Sequence, residues 1–350
     1  MMNLAQLRAT YASTCFPRFS TASRPKIVSA FSANGSKTQK FLFKRTLTTT
    51  LYYLEPQELY KTVKPYHLNV PASALGQKLQ QSNEVSKGYR NISIQDVREE
   101  DRDFTLNQNG FQVFNDDEKH LSLHSLLSYN DYADFATVKD KYRRGVSDFL
   151  VQRLGADLVV PFTHEVRRRS EVFPQLPRGT GKAPQPVQGV HVDFTPRWAI
   201  DRMRMVLDED LVKTILKRRW QILNVWRPLF GPLYDWPLAL CDWRSIDACR
   251  DLEPSDNVYT HVTAETYNVY HHDSHRWYYV SGMQPTETLV FKSFDSHRDE
   301  ETARVCPHAA FYNPLAPEGA RPRESIECLA VVVYPEGTGG TGDHRDEWLP

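Results

Sequence analysis

The first 54 residues contain neither aspartate nor glutamate; the first acid is Glu55. No run of eighteen apolar residues occurs anywhere in the 350, so no transmembrane helix is expected. No segment repeats at a fixed period, which argues against solenoids, propellers and collagen-like arrays. Cysteine is scarce: Cys15, Cys241, Cys249, Cys306 and Cys328 are odd in number, and no pair has C-x-x-C spacing. That argues against a disulfide framework and a cysteine-based structural zinc site, and favours a thiol-reducing intracellular compartment.

What the head does contain is base. Arg8, Arg18, Arg24, Lys26, Lys37, Lys40, Lys44 and Arg45 all precede Glu55. Removing these eight from the 43 basic residues leaves 35 against 43 acids, so the body is net acidic. An acidic body argues against nucleic-acid binding as the main domain's role. The head is also rich in Ser and Thr, with Leu4, Leu7 and Tyr11 at helical spacing. It reads either as a mitochondrial transit peptide or as a disordered tail. Residues 1–48 are therefore set apart, 49–335 are expected to form one domain, and 336–350 a tail. The protein is expected in the cytoplasm, or in the mitochondrion if the head is a transit peptide.

From residue 49 onward short apolar runs dominate. Strands are expected at Leu51–Leu54, Asn91–Val97, Asp157–Phe162, Trp220–Trp226, Leu238–Trp243, Tyr267–Tyr270, Arg276–Ser281, Thr288–Phe294 and Glu324–Tyr334. Asn109-Gly110, between two apolar runs, predicts a hairpin turn. Apolar residues three and four apart predict a helix over Asp131–Leu154, ended by Gly155. Thr195-Pro196 predicts a capped helix running to about Lys217. The Pro/Gly-rich stretch Pro174–Pro186 is expected to be a rim or lid. Many short strands with few helices make the fold mostly β with flanking helices, a double-sheet jelly roll, that is, a double-stranded β-helix.

Within this pattern His191-Val192-Asp193 stands out. In a strand, residues two apart share a face, so an imidazole and a carboxylate would converge. They make two thirds of a two-histidine, one-carboxylate iron(II) site. The tripeptide alone is common by chance, and a surface loop or a satisfied core histidine would explain it. A third ligand has two sources. His271, His272 and His275 cluster in a polar turn that reads as a solvated hairpin tip. His308 lies among small and apolar residues, where burial without a partner is costly, and is preferred. Arg323 and Ser325 share a strand face and could grip the distal carboxylate of a 2-oxoacid; Arg321 is the rival anchor. The run Arg167-Arg168-Arg169 reads by default as solvated charge.

Several blocks together resemble the fungal AsaB-like hydroxylase/desaturase family, which is akin to the small subunit of cephamycin methoxylase and to the fungal gibberellin desaturase. They include Asp96-Val97-Arg98, Asn109-Gly110-Phe111, His191-Val192-Asp193-Phe194 and Asn224-Val225-Trp226-Arg227-Pro228. Phe291-Lys292 with Asp295-Ser296, Pro307-His308-Ala309-Ala310-Phe311 and Pro322-Arg323-Glu324-Ser325 complete the set. The resemblance covers roughly residues 91–334; the basic head has no counterpart. It implies an iron(II)- and 2-oxoglutarate-dependent oxygenase that uses O2 to hydroxylate or desaturate a small-molecule secondary metabolite. It places iron on His191, Asp193 and His308, and 2-oxoglutarate on Arg323 with Ser325. Asn224, Arg227 and Arg167 are the candidate substrate contacts, although a core Trp226 and an acid-paired Arg227 are the more ordinary reading. Two alternatives stand beside it: a hydrolase or isomerase on the same metal ligands, and a non-catalytic subunit serving a partner enzyme of the same pathway.

Overall fold

The computed structural model describes residues 46–338 except 70–79, 118, 171–172 and 174–183. The basic head before residue 46 and most of the expected lid therefore lie outside the described residues. Fourteen strands are described. They are β1 (Leu47–Leu54), β2 (Tyr66–Leu68), β3 (Ser86–Asp96), β4 (Phe111–Asn115), β5 (Leu158–Arg168), β6 (His191–Val192) and β7 (Trp220–Pro228). Then come β8 (Leu238–Cys241), β9 (Leu252–Val258), β10 (Thr263–Val269), β11 (Trp277–Tyr279), β12 (Glu287–Asp295), β13 (His308–Ala310) and β14 (Glu324–Val333). β1 thus starts inside the stretch set apart as head.

The strands form two sheets, one ordered β1-β3-β11-β8-β13-β6-β10-β9-β2 and the other β4-β12-β7-β14-β5. The larger sheet curls: Tyr52 and Leu54 of β1 bridge to Gly189 and Tyr270, near its other side. This is the jelly-roll type of sandwich that the strand pattern predicts. Alternation sorts the side chains into three cores. Phe111, Trp226, Leu240, Tyr278, Leu289 and Phe291 pack between the sheets. Val190, Val192, Ala239, Tyr267 and Ala309 pack on the other face of the curled sheet. Leu223, Val225, Ile326, Cys328 and Ala330 face outward from the smaller sheet and are covered by Tyr142, Val146, Phe149 and Leu150.

Three local expectations change. Asn109-Gly110 does not join two strands. Leu106–Asn109 is a single helical turn, capped by the Thr105 hydroxyl accepting from Gln108 N at 3.2 Å, and Gly110 ends it in the left-handed region at φ 86°. A Cβ at Gly110 would lie 2.8 Å from the Val305 carbonyl oxygen, so glycine is needed twice over. Asp131–Leu154 is not one helix: a π-helical turn at Val138–Tyr142 leads into the helix Arg143–Leu154, which Gly155 ends at φ 65°. The stretch after Thr195 is two helices, Pro196–Val206 and Glu209–Ile215, because Asp208 is extended and starts the second.

Candidate metal and co-substrate site

β6 lies between β13 and β10, with His308 directly opposite His191 and Asn268 on its other side. Directly opposed residues point the same way, so both imidazoles enter the space between the sheets, and their ring centroids are 4.4 Å apart. Asp193, two residues after His191, follows them, while Val192 is buried on the opposite face. His191 Nε2 lies 3.6 Å and His308 Nε2 3.7 Å from Asp193 Oδ1. The three ligand atoms fall within 4.8 Å of one another, and no other such group occurs among the described residues.

The surroundings prepare these atoms for a cation. His191 Nδ1 is 2.8 Å from the Gly189 carbonyl oxygen, and His308 Nδ1 is 3.0 Å from that of Cys306. A carbonyl only accepts, so each Nδ1 carries a proton and each Nε2 is turned toward Asp193. Burial, reinforced by His191, lowers the His308 pKa to about 4, so this imidazole is neutral at neutral pH. Burial alone would raise Asp193. The two imidazoles and the Ser293 hydroxyl outweigh it and hold the carboxyl well below the usual range. Two imidazole Nε2 atoms and one ionised carboxylate fit non-haem iron(II) with open positions.

Arg323 lies in the same intersheet space, at the start of β14. It is 2% exposed. Its guanidinium bonds Ser325 Oγ at 3.2 Å and the Trp236 carbonyl at 2.9 Å, and sits 5.1 Å from the Trp226 ring. Asp235 accepts from its backbone N–H at 2.8 Å, which leaves the side chain without that acid. Trp236 holds φ 43°, a left-handed conformation unusual for a non-glycine, while its carbonyl receives this bond. Among the described residues no carboxylate forms an ion pair with the Arg323 guanidinium. Burial, then the charge of Arg167, lowers its pKa to about 9. A buried cation without a counter-ion is costly, and a ligand carboxylate would supply one.

The remaining candidates separate. Asn224 faces the site, donating from Nδ2 to Asp193 Oδ2 at 3.3 Å. Arg227 points to the opposite face of β7. There it bonds the hydroxyls of Tyr132 and Tyr142 and the Leu123 carbonyl, so it does not line the site, and among the described residues it pairs with no acid. Trp226 shares the face of Asn224 and packs against Arg323. Arg167, opposite Ser325, is committed to Glu327 through contacts of 3.0 and 2.6 Å. Arg168 pairs with Glu324 at 3.0 Å and Arg169 with Asp235 at 2.6 Å, so the run is three ion pairs and not solvated charge. Arg321 binds Glu324 at the surface. The histidine cluster is not a solvated tip either. The His275 side chain is 1% exposed and meets Asp251 at 3.0 Å, and His271 stacks on Tyr89 at 4.1 Å.

Comparison with known proteins accords with this geometry. Residues 51–333 match the family described as the oxidoreductase/YMDC permease-like domain. The hydroxylase/desaturase efuI of Hormonema carpetanum is 32% identical over 261 residues, covering 69% of this chain and 83% of its own. The chain belongs to this oxidoreductase family. The hydroxylase/desaturase asaB of Aspergillus flavus is 35% identical over 132 residues, 34% of this chain and 58% of its own. A solved structure, the iron and alpha-ketoglutarate-dependent endoperoxidase NvfI, superposes with a TM-score of 0.70 at 27% identity, covering 83% of this chain and 99% of its own. Despite the word permease in the family's description, no helix among the described residues is long and apolar enough to cross a membrane.

Sequence reasoning missed one side chain in this member of the family. Ser293 Oγ lies 2.8 Å from Asp193 Oδ2. It was hidden because its strand has a register shift beside it. The carbonyls behind the imidazoles could have been found. Gly189 precedes His191 by two residues, and Cys306 precedes His308 by two.

Proposed function

We propose that this chain is an iron(II)- and 2-oxoglutarate-dependent oxygenase that hydroxylates or desaturates a small-molecule intermediate of the kind made in fungal secondary metabolism. The single observation that carries the reading is Arg323, a buried guanidinium that forms no ion pair among the described residues, in the space that also holds the triad. A hydrolase on the same three ligands would leave that charge uncompensated.

In this reading His191 Nε2, Asp193 Oδ1 and His308 Nε2 hold the iron. When bound, iron(II) with 2-oxoglutarate and dioxygen supplies the oxidising power to attack an unactivated carbon. Arg323 takes the distal carboxylate of the co-substrate, and Ser325 aligns the guanidinium from Nε. Trp226 walls that end with an apolar ring. Phe291, 4.6 Å from the His308 ring, and Leu240 keep the intersheet space dry around the reacting carbon. Arg167 is spent on Glu327, so an acidic substrate finds no free cation there. The test is succinate formation by the purified chain with iron(II), 2-oxoglutarate and oxygen. Slow turnover requiring all three, and lost in Asp193→Ala, is expected. A wild type that binds iron but never consumes 2-oxoglutarate contradicts the proposal.

A further inference from the structure

One motif remains without a role. Phe291-Lys292 and Asp295 lie on β12, with Ser296 just past its end, and Lys292 and Asp295 are both fully buried. Asp295 Oδ2 accepts from Lys292 Nζ at 2.6 Å, Gln221 Nε2 at 2.6 Å and Arg219 Nη2 at 2.8 Å. Buried ion pairs add little net stability compared with apolar packing; their best-attested use is to fix a register. This pair sits on such a feature. The pairing of β12 with β7 shifts register between Lys292 and Phe294, and Ser293 is the residue in the shift. Bulges re-aim side chains beside functional sites. Ser293, 1% exposed, is aimed at Asp193 Oδ2, 2.8 Å away.

The same lysine bonds the segment that leads to the other ligand. Its Nζ donates to the Ala303 carbonyl at 2.8 Å, and its own carbonyl accepts from Cys306 N at 2.8 Å. Both bonds fix the segment that ends in the Cys306 carbonyl, the acceptor for His308 Nδ1. One step of β12 therefore touches both halves of the triad. Ser293 and Asn224 occupy Asp193 Oδ2, which turns Oδ1 toward the two imidazoles. Lys292 sets the carbonyl that orients His308.

We infer that Lys292-Ser293 is a positioning element for the metal ligands, with Ser293 selecting the Asp193 oxygen and the buried Lys292–Asp295 pair holding the bulge and the Cys306 carbonyl in place. This rests on the metal-binding reading above. Neither residue touches the ion, so the readout is metal affinity and not turnover. The probe is anaerobic Co(II) titration of the full chain by visible absorption and calorimetry, with thermal unfolding of the metal-free protein alongside. Ser293→Ala is expected to weaken Co(II) about 10- to 100-fold with little change in Tm, and Ser293→Thr, which keeps the hydroxyl, to recover most of the loss. Lys292→Met is expected to weaken Co(II) as well, although the side chain lies outside the ligand set. Wild-type affinity in Ser293→Ala overturns the inference, and wild-type affinity in Lys292→Met overturns the coupling through the bulge. A wild type that fails to bind Co(II) overturns the metal reading itself.

Discussion

The two faces of the smaller sheet carry two buried arginines with opposite fates. Arg227, on the face covered by the helix Arg143–Leu154, is 1% exposed and fully used: two tyrosine hydroxyls and backbone carbonyls take its donors. Arg323, on the face toward the other sheet, is 2% exposed and among the described residues its guanidinium has one hydroxyl, one carbonyl and no paired acid. The Oδ1 of Asn224 and Nε1 of Trp226, both on that inner face, are likewise buried with no hydrogen-bond partner among the described residues. A buried arginine fully bonded on one face and one with no ion pair on the other show where a ligand carboxylate belongs. The protein spends Arg227 on itself and keeps Arg323 for something else.

The largest effect that would sharpen this contrast is on co-substrate affinity. Arg323→Leu should weaken 2-oxoglutarate binding about 100-fold or more, on the 2–5 kcal/mol scale of losing one partner of a buried charge pair. The same change should leave stability unaltered or raise it, because it removes a buried charge that forms no ion pair among the described residues; calorimetry and thermal unfolding check both halves. Arg227→Met should do the reverse. It strands the Tyr132 and Tyr142 hydroxyls and the Leu123 carbonyl, and should cost about 2–4 kcal/mol in urea unfolding while 2-oxoglutarate affinity holds. If both variants lose both properties equally, the contrast between the faces fails.

A smaller effect should appear with pH on the outer face. His164 accepts from Arg143 Nε at 2.8 Å, and burial, then the Arg143 charge, lowers its pKa to about 4. Unfolded, it titrates near 6.5. The folded pKa is the lower one, so its stabilisation is complete above pH 6.5 and drains as pH falls toward 4. At most about 3 kcal/mol is at stake. His164→Gln should flatten that decline in stability between pH 6.5 and 4, read by unfolding at stepped pH. An unchanged decline would assign the acid sensitivity to other groups.

Much of the site was legible because strands alternate. His191 and Asp193 share a face by parity alone, as do Arg323 and Ser325, and the small, apolar neighbours of His308 marked it as buried. Parity fails where register is unknown. Asn224 and Arg227 are three apart in one strand and therefore on opposite faces, yet nothing in the string says which face is inner. Ser293 depends on a bulge, which no local pattern announces. His275 read as solvated because its partner, Asp251, lies 24 residues earlier in the chain. Asn109-Gly110 carries a strong turn signal, but the Thr105 hydroxyl and the crowding at Val305 turn it into a capped helical turn. The basic head read as targeting or disorder falls outside the described residues.

Anaerobic titration of the chain with iron(II), with and without 2-oxoglutarate, tests the central claim most directly. In the wild type, 2-oxoglutarate should bring up a visible charge-transfer band. The band should be absent in His308→Ala, weak in Arg323→Leu and unchanged in His272→Ala. No band in the wild type, or a band that survives His308→Ala and vanishes in His272→Ala, would contradict it.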